Sequence, residues 1–168
     1  HKCREFEKVK CVKLHPNYHC YELKTQSVNQ LMEESANMKL SVIIQLRVQD
    51  VRSHHPLMQI PDVDVETSIN CVRENSSTNI VFGGIKWTEA LAHSDKIKEL
   101  SNLWLDISQI EAVDGLRRLI SIYSAEKLLF GTHAPFLYAK SAVMKLNEAL
   151  LSESEREKIT NGNVSKIF

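Results

Sequence analysis

Leu40-Ser-Val-Ile-Ile-Gln-Leu46 is the stretch that decides the fold. Its β-branched centre favours extended chain, and the run has the length of a strand rather than a helix. Apolar residues fall on both of its faces: Leu40, Val42, Ile44 and Leu46 on one, Ile43 on the other. A strand with a solvated face alternates apolar and polar residues. One that is apolar on both sides belongs to a sheet covered on both, the usual state of parallel sheets.

Upstream, Thr25 to Met38 sets Val28, Leu31, Met32, Ser35 and Met38 at helical spacing, and Lys10 to His15 alternates before stopping at Pro16, as a strand does. Downstream, Gln49 to Asp62 holds two prolines, two adjacent histidines and several charges, and reads as a long loop. Val63 to Glu74 is predicted as a helix, Asn79 to Phe82 as a strand ending in Gly83-Gly84, and Trp87 to Leu100 as a helix broken near His93-Ser94. Leu103 to Ile107, with Trp104 and Asp106, is the fourth strand. Val113 to Tyr123 is a helix, Leu128 to Phe130 the last strand, and Ala139 to Leu151 a helix. Ser152-Glu-Ser-Glu155 spells a capping box, and Asn161-Gly162 is expected to stop the short helix it opens, before a final turn to Phe168. The order is β-α repeated five times, with no hairpin signal. The fold class is α/β: five parallel strands with helical crossovers, in a single domain over 1–168.

In parallel α/β folds, ligands bind beyond the carboxyl ends of the strands. Polar and titratable residues recur there. His15 follows the first strand, near His19. Gln45, Arg47, Gln49, Asp50 and Arg52 follow the second. Gly83-Gly84, Lys86 and Trp87 follow the third, Asp106, Ser108 and Glu111 the fourth, and Thr132 and His133 the fifth. This segregation marks one rim as the candidate site. Each residue also has a plainer role. His15 could merely end a strand, Asp106 could cap the next segment, and Asp50 with Arg52 could be an ion pair that pins the long loop. Arg52 is also a fork for a substrate carboxylate.

The 21 basic and 21 acidic side chains cancel, which argues against a dominant nucleic-acid or anionic-membrane surface. No apolar run approaches the ~20 residues that span a bilayer, and the polar start His1-Lys-Cys-Arg-Glu-Phe-Glu-Lys8 is unlike a signal peptide. Cys3, Cys11, Cys20 and Cys71 form no Cys-x-x-Cys pair, so reduced thiols in a cytoplasm are expected. Neither a Gly-x-Gly-x-x-Gly nor a Walker motif occurs, which removes the main support for a nucleotide site.

At the last strand, Lys127-Leu-Leu-Phe-Gly-Thr-His-Ala-Pro135 resembles the final barrel strand of the amidohydrolase superfamily, in its amidohydrolase-related, decarboxylase-like branch. The tail from Leu151 through Ile159, Gly162-Asn163 and Ile167-Phe168 is similar to that branch's ending. Val12-Lys-Leu-His-Pro16, Leu40 to Gln45, Asn79 to Gly84 and Leu103-Trp-Leu-Asp-Ile-Ser108 resemble its fourth to seventh strands. The resemblance implies strands 4–8 of a (β/α)8 TIM barrel, with the first three strands and their His-x-His metal pair missing. His1 without an initiator Met fits truncation.

The resemblance further implies a hydrolase or decarboxylase of a small carboxylate-bearing or cyclic substrate, with homo-oligomerisation left open. His133, Asp106 and His15 would be catalytic, and Arg52, Lys13, Gln45 and Asp50 would bind substrate. The metal positions depart from the family. Gln45 and Gly83 or Gly84 stand where fifth- and sixth-strand histidines are usual, and His133 stands where the eighth strand supplies an aspartate. A divalent metal such as zinc would therefore need ligands from the missing N-terminal residues. His133 could be a substitute ligand, a general base, or a relic hydrogen-bonding group. The alternative to an enzyme is a catalytically inactive or metal-free barrel that binds a small molecule.

Overall fold

The computed structural model describes residues 8–168; Cys3 and most of the polar N-terminal stretch lie outside the described residues. The elements run β1 (Cys11–Leu14), α1 (Gln26–Asn37), β2 (Ser41–Gln45), α2 (Val65–Glu74), β3 (Ile80–Gly83), α3 (Trp87–Ala92), α4 (Ser94–Lys98), β4 (Leu103–Asp106), α5 (Gly115–Tyr123), β5 (Leu128–Leu129), α6 (Ala139–Glu148), α7 (Glu153–Glu157) and α8 (Asn163–Ile167). The strands form one sheet in the order β1-β2-β3-β4-β5, and every pair is parallel. Five consecutive β/α units side by side make a partial barrel. No described helix is long and apolar enough to cross a membrane.

Local chemistry sets the boundaries. Thr25 Oγ1 accepts from Val28 N to start α1, and Asp64 accepts from Thr67 N to start α2. His93 ends α3 and opens α4, which is the break expected there. The capping box at Ser152 and Glu155 forms in both directions. Most boundaries move by one to three residues from the sequence reading, and two differences have a clear cause. Val113 lies outside α5, because Asp114 takes a left-handed φ of 54° and turns the chain just before Gly115. Asn161-Gly162 does not stop the tail: Gly162 has a right-handed φ of −58°, and the chain passes through a wide turn, Lys158–Gly162, into α8. Side-chain hydrogen bonds from Asn163 make that continuation worthwhile, as described below.

The two faces of the sheet do different things. Val12, Leu14, Val42, Ile44, Ile80, Phe82, Leu103, Leu105 and Leu128 face the helices and join the main core with Met32, Ile69, Val72, Leu119 and Leu146. Lys13, Ile43, Val81 and Trp104 are register partners on the opposite, inner face. There Val81 and Leu129 pack with Ile167 of α8, beside Ile43, Trp104, Val164 and Phe168. The tail also holds the outer edge of β5. Phe130 N donates to Ile159 O at 2.9 Å, and Asn163 Nδ2 donates to both Ala125 O and Leu128 O at 2.8 Å. An edge that would otherwise offer bare backbone groups is thereby occupied.

Asn163 is wholly buried. Asn163→Ala strips two buried carbonyls of their donor, so we expect a loss of about 2–3 kcal/mol in urea unfolding. A loss below about 0.5 kcal/mol would mean that the tail contributes little to the fold.

Candidate active site

Side chains alternate along a strand, so His15 lies on the same face as Lys13, Gln45 as Ile43, Gly83 as Val81, and Asp106 as Trp104. With Lys13, Ile43, Val81 and Trp104 aligned in register, His15, Gln45, Gly83 and Asp106 form the next row toward the carboxyl ends. Gln45 and Gly83 are themselves register partners. His133 follows β5 and approaches the same end of the sheet. Its charge, with that of Lys13, bears on both His15 and Asp106. The structure therefore brings Lys13, His15, Gln45, Asp106 and His133 to one mouth. Asp50 and Arg52 lie in the loop beyond it.

Asp106 is held tightly. It accepts from Ser108 N at 2.8 Å and from Ser108 Oγ at 2.9 Å. A Cβ at Gly131 would stand 2.1 Å from Asp106 Oδ1, so only glycine leaves room for this carboxylate. Desolvation pushes the Asp106 carboxyl above its ordinary range, while the two Ser108 bonds and the charges of His133 and Lys13 pull it back. Below the turn, Lys145 Nζ donates to Ile107 O and Ser108 O at 2.8 and 3.0 Å, which fixes the segment that carries Asp106.

The histidines divide by tautomer and burial. His133 Nε2 lies 2.6 Å from Val48 O, and a carbonyl only accepts, so Nε2 carries the proton. In the neutral ring the lone pair is then on Nδ1. His133 holds a left-handed φ of 54°, and its carbonyl accepts from Phe136 N and Leu137 N. His15 is pushed below the usual histidine range, first by burial and then by Lys13, His19 and His133. Its Nδ1 is buried with no hydrogen-bond partner among the described residues. His15 therefore stays neutral at pH 7.

A cleft of about 450 Å³ opens beside this row, lined by Asp50, Arg52, Lys86, Trp87, Glu111 and His133 among others, with Phe136 as a second aromatic wall. Arg52 is engaged: Nε donates to Asp50 Oδ1 at 2.8 Å and Nη2 to Oδ2 at 3.1 Å, and this pairing holds the Asp50 carboxyl well below its usual range. Lys86 is engaged as well, since its Nζ donates to Asp62 Oδ2 at 3.0 Å. His133 is the residue shared between the inner row and the cleft. The roles of Gly131 and of the Val48 carbonyl were not legible beforehand; the only signal was a glycine placed directly after the last strand.

The chain superposes on 5-carboxyvanillate decarboxylase LigW from Sphingomonas paucimobilis with a TM-score of 0.71 and 17% identity, covering 95% of this chain and 58% of that one. A TIM-barrel protein, Bb4693, from Bordetella bronchiseptica gives 0.71 at 15% identity, covering 94% and 56%. The 2,6-dihydroxybenzoate decarboxylase from Rhizobium gives 0.64 at 16% identity, covering 88% and 56%. The chain thus shares the TIM-barrel fold and spans little more than half the length of these barrels. No family model and no curated protein matches its sequence.

The raised Asp106 carboxyl makes a pH prediction. The unfolded chain releases this proton first as pH rises, so stability is lost from the ordinary aspartate range up to the raised folded value, and stays lost above it. Asp106→Asn keeps an acceptor for Ser108 N, and Ser108 Oγ can accept from the new amide. The variant should match the parent near pH 3 and exceed it at pH 7 by on the order of 1 kcal/mol. Equal or lower stability at pH 7, by thermal melts across pH, would show that the ionised carboxylate is well solvated or paired.

Proposed function

We propose that the chain contributes strands four to eight of an amidohydrolase-like (β/α)8 barrel that hydrolyses or decarboxylates a small carboxylate-bearing or cyclic substrate. One observation carries the reading: two histidines, a lysine and a part-buried aspartate from β1, β4 and the segment after β5 lie toward the carboxyl ends of one parallel sheet, where such barrels bind ligands. The fold neighbours include decarboxylases of 5-carboxyvanillate and 2,6-dihydroxybenzoate, both small aromatic acids, which supports the substrate class.

In this reading the chain's own groups move the proton. His133 Nδ1, left free by the Nε2–H bond to Val48 O, takes a proton from an attacking water in a hydrolysis. In a decarboxylation, Asp106 in its neutral form gives a proton to the carbon that loses carbon dioxide; its raised carboxyl makes that form accessible. Lys13 holds the substrate's carboxylate, and Arg52 can add to it only by letting go of Asp50. That exchange is cheap, because the Arg52–Asp50 pair is exposed. His15, kept neutral, accepts a hydrogen bond from substrate. Gln45 lines the floor of the mouth.

A second reading, a barrel that binds a small molecule without turnover, draws on the seat of the Gln45 amide against Gly83 and Gly84. The two readings separate in one experiment on the full chain with 5-carboxyvanillate and 2,6-dihydroxybenzoate, following carbon dioxide release and melting temperature. Turnover that falls about 10²–10⁴-fold in His133→Ala, with KM little changed, supports the enzyme. A ligand-dependent rise in melting temperature without product supports the binder. If neither appears, the site assignment fails for this substrate class.

A further inference from the structure

Gln45 occupies the space where the resemblance implies strand-end imidazoles. It is 3% exposed, and its Nε2 donates to Arg47 O at 2.6 Å. A Cβ at Gly83 would stand 2.4 Å from Gln45 Oε1, and one at Gly84 would stand 2.9 Å from Nε2. Gly84 also has a φ of +72°, which strains any L side chain. With Gln45 seated, neither glycine position can carry a ligand side chain, and Gln45 has already committed its amide to the backbone.

The other donors fit a divalent cation no better. His133 keeps Nδ1 open while Val48 O holds Nε2–H, but it is a single imidazole donor, and Asp106 already accepts twice from Ser108. Among the described residues, no three His, Cys, Asp or Glu side chains come together as a metal site needs. This donor set does not fit the metal that the resemblance implies.

The cations around the mouth point to what takes its place. Arg52 is paired with Asp50, and Arg47 and Lys86 share Asp62. Lys13 stands on the inner face in register with Ile43, exposed, and no hydrogen bond or ion pair joins it among the described residues. Its charge nonetheless reaches His15 and Asp106. We infer that the mouth is built as a metal-free anion site, in which the Lys13 ammonium is the resident cation and Gln45 packed on Gly83-Gly84 fills the place of a metal. The ligand class is a small monoanion, a carboxylate above all, placed between Lys13 and His15. This deepens the proposed function and rests on its assignment of the mouth as the site.

The test uses the full chain and needs no turnover. After dialysis against EDTA, zinc chloride and manganese chloride are titrated by calorimetry while the histidine ring signals are followed by NMR. Benzoate serves as the anion probe. We expect no equivalent of metal that moves His15 or His133, and benzoate affinity about tenfold weaker in Lys13→Met but kept in Lys13→Arg. One equivalent of either metal that shifts those rings overturns the inference, as does benzoate binding indifferent to Lys13→Met. A cycle of Gln45→Ala and Gly83→Ala tests the plug by melting temperature: the two losses should be far from additive, and additivity overturns the packing argument. If Gly83→Ala fails to fold, the metal and benzoate arms still decide. Absence of turnover alongside these expected results would sink the proposed reaction and leave the anion site standing; turnover that requires an added metal would do the reverse.

Discussion

The buried guanidinium of Arg47 is the interaction on which the geometry of the mouth depends. Its side chain is 1% exposed, and it donates to Asp62, Glu89 and the Gly84 carbonyl. These partners belong to three separate segments: the end of the long loop, the start of α3, and the turn after β3. Lys86 adds a second cation to Asp62, and its backbone N–H donates to Glu89 Oε2. Two cations and two carboxylates thus balance within one cluster, as a buried charge requires. Arg47 O also receives the Gln45 amide, so the same residue sets both the glycine turn and the side chain packed on it. Val63 N donates to Leu46 O, which closes the long loop at its base. The segment between lines the cleft with Asp50, Arg52 and Ser53 and leaves Leu57 91% exposed. Its ends are fixed by buried and part-buried bonds, whereas its middle makes exposed local ones.

Parallel pairing explains why the polar residues converge. Each crossover returns the chain to the same end of the sheet, so whatever follows a strand lands at a common rim. The inner face then reads in rows: apolar packing against α8 at one level, then His15, Gln45, Gly83 and Asp106 at the next. Moving a side chain by one residue along a strand would turn it into the helix-facing core. The site is therefore specified by the burial pattern of the strands, and the tail that seals the lower part of the inner face supports the row above it.

How much of this was legible in the sequence depended on the range of the interaction. Apolar runs such as Leu40 to Leu46 disclosed strands because burial acts residue by residue, and the Ser152–Glu155 box disclosed its helix because the capping contacts are local. The break at His93 was visible for the same reason. Asn161-Gly162 misled, since a local glycine signal was overridden by the distant bonds of Asn163 to Ala125 and Leu128. Val113 misled because the left-handed turn at Asp114 has no clear local marker. Of the rim, the identities were readable but not the engagements. Nothing in the order of residues says that Arg47 would be buried among acids, that Arg52 would be held by its neighbour Asp50, or that Gly131 exists to admit the Asp106 carboxylate. Those facts arise between segments far apart in the chain.

Costly features differ in kind between the scaffold and the candidate site. Lys39 and Leu150 take left-handed φ values just past helix ends, where that conformation closes a helix, and Lys39 N donates to Ala36 O. His133 has the same sign of φ directly after a strand, and the residue is β-mouth rather than helix cap. Toward the same end lie an imidazole nitrogen of His15 with no partner among the described residues, an Asp106 carboxyl whose ionised form burial opposes, and the Lys13 ammonium, with no counter-ion among the described residues. Each of these would be removed by a bland apolar or amide substitution if folding were the sole demand. They occur toward one rim, while the opposite end of the sheet is closed by the hydrogen bonds of Asn163 and Ser41, with Asn163 Oδ1 left without a partner among the described residues. Left-handed φ values also occur at Cys20 and Ser124, and unpartnered buried nitrogens at His54, so what distinguishes the rim is not strain by itself but titratable groups set toward the end of the sheet where parallel α/β folds bind ligands.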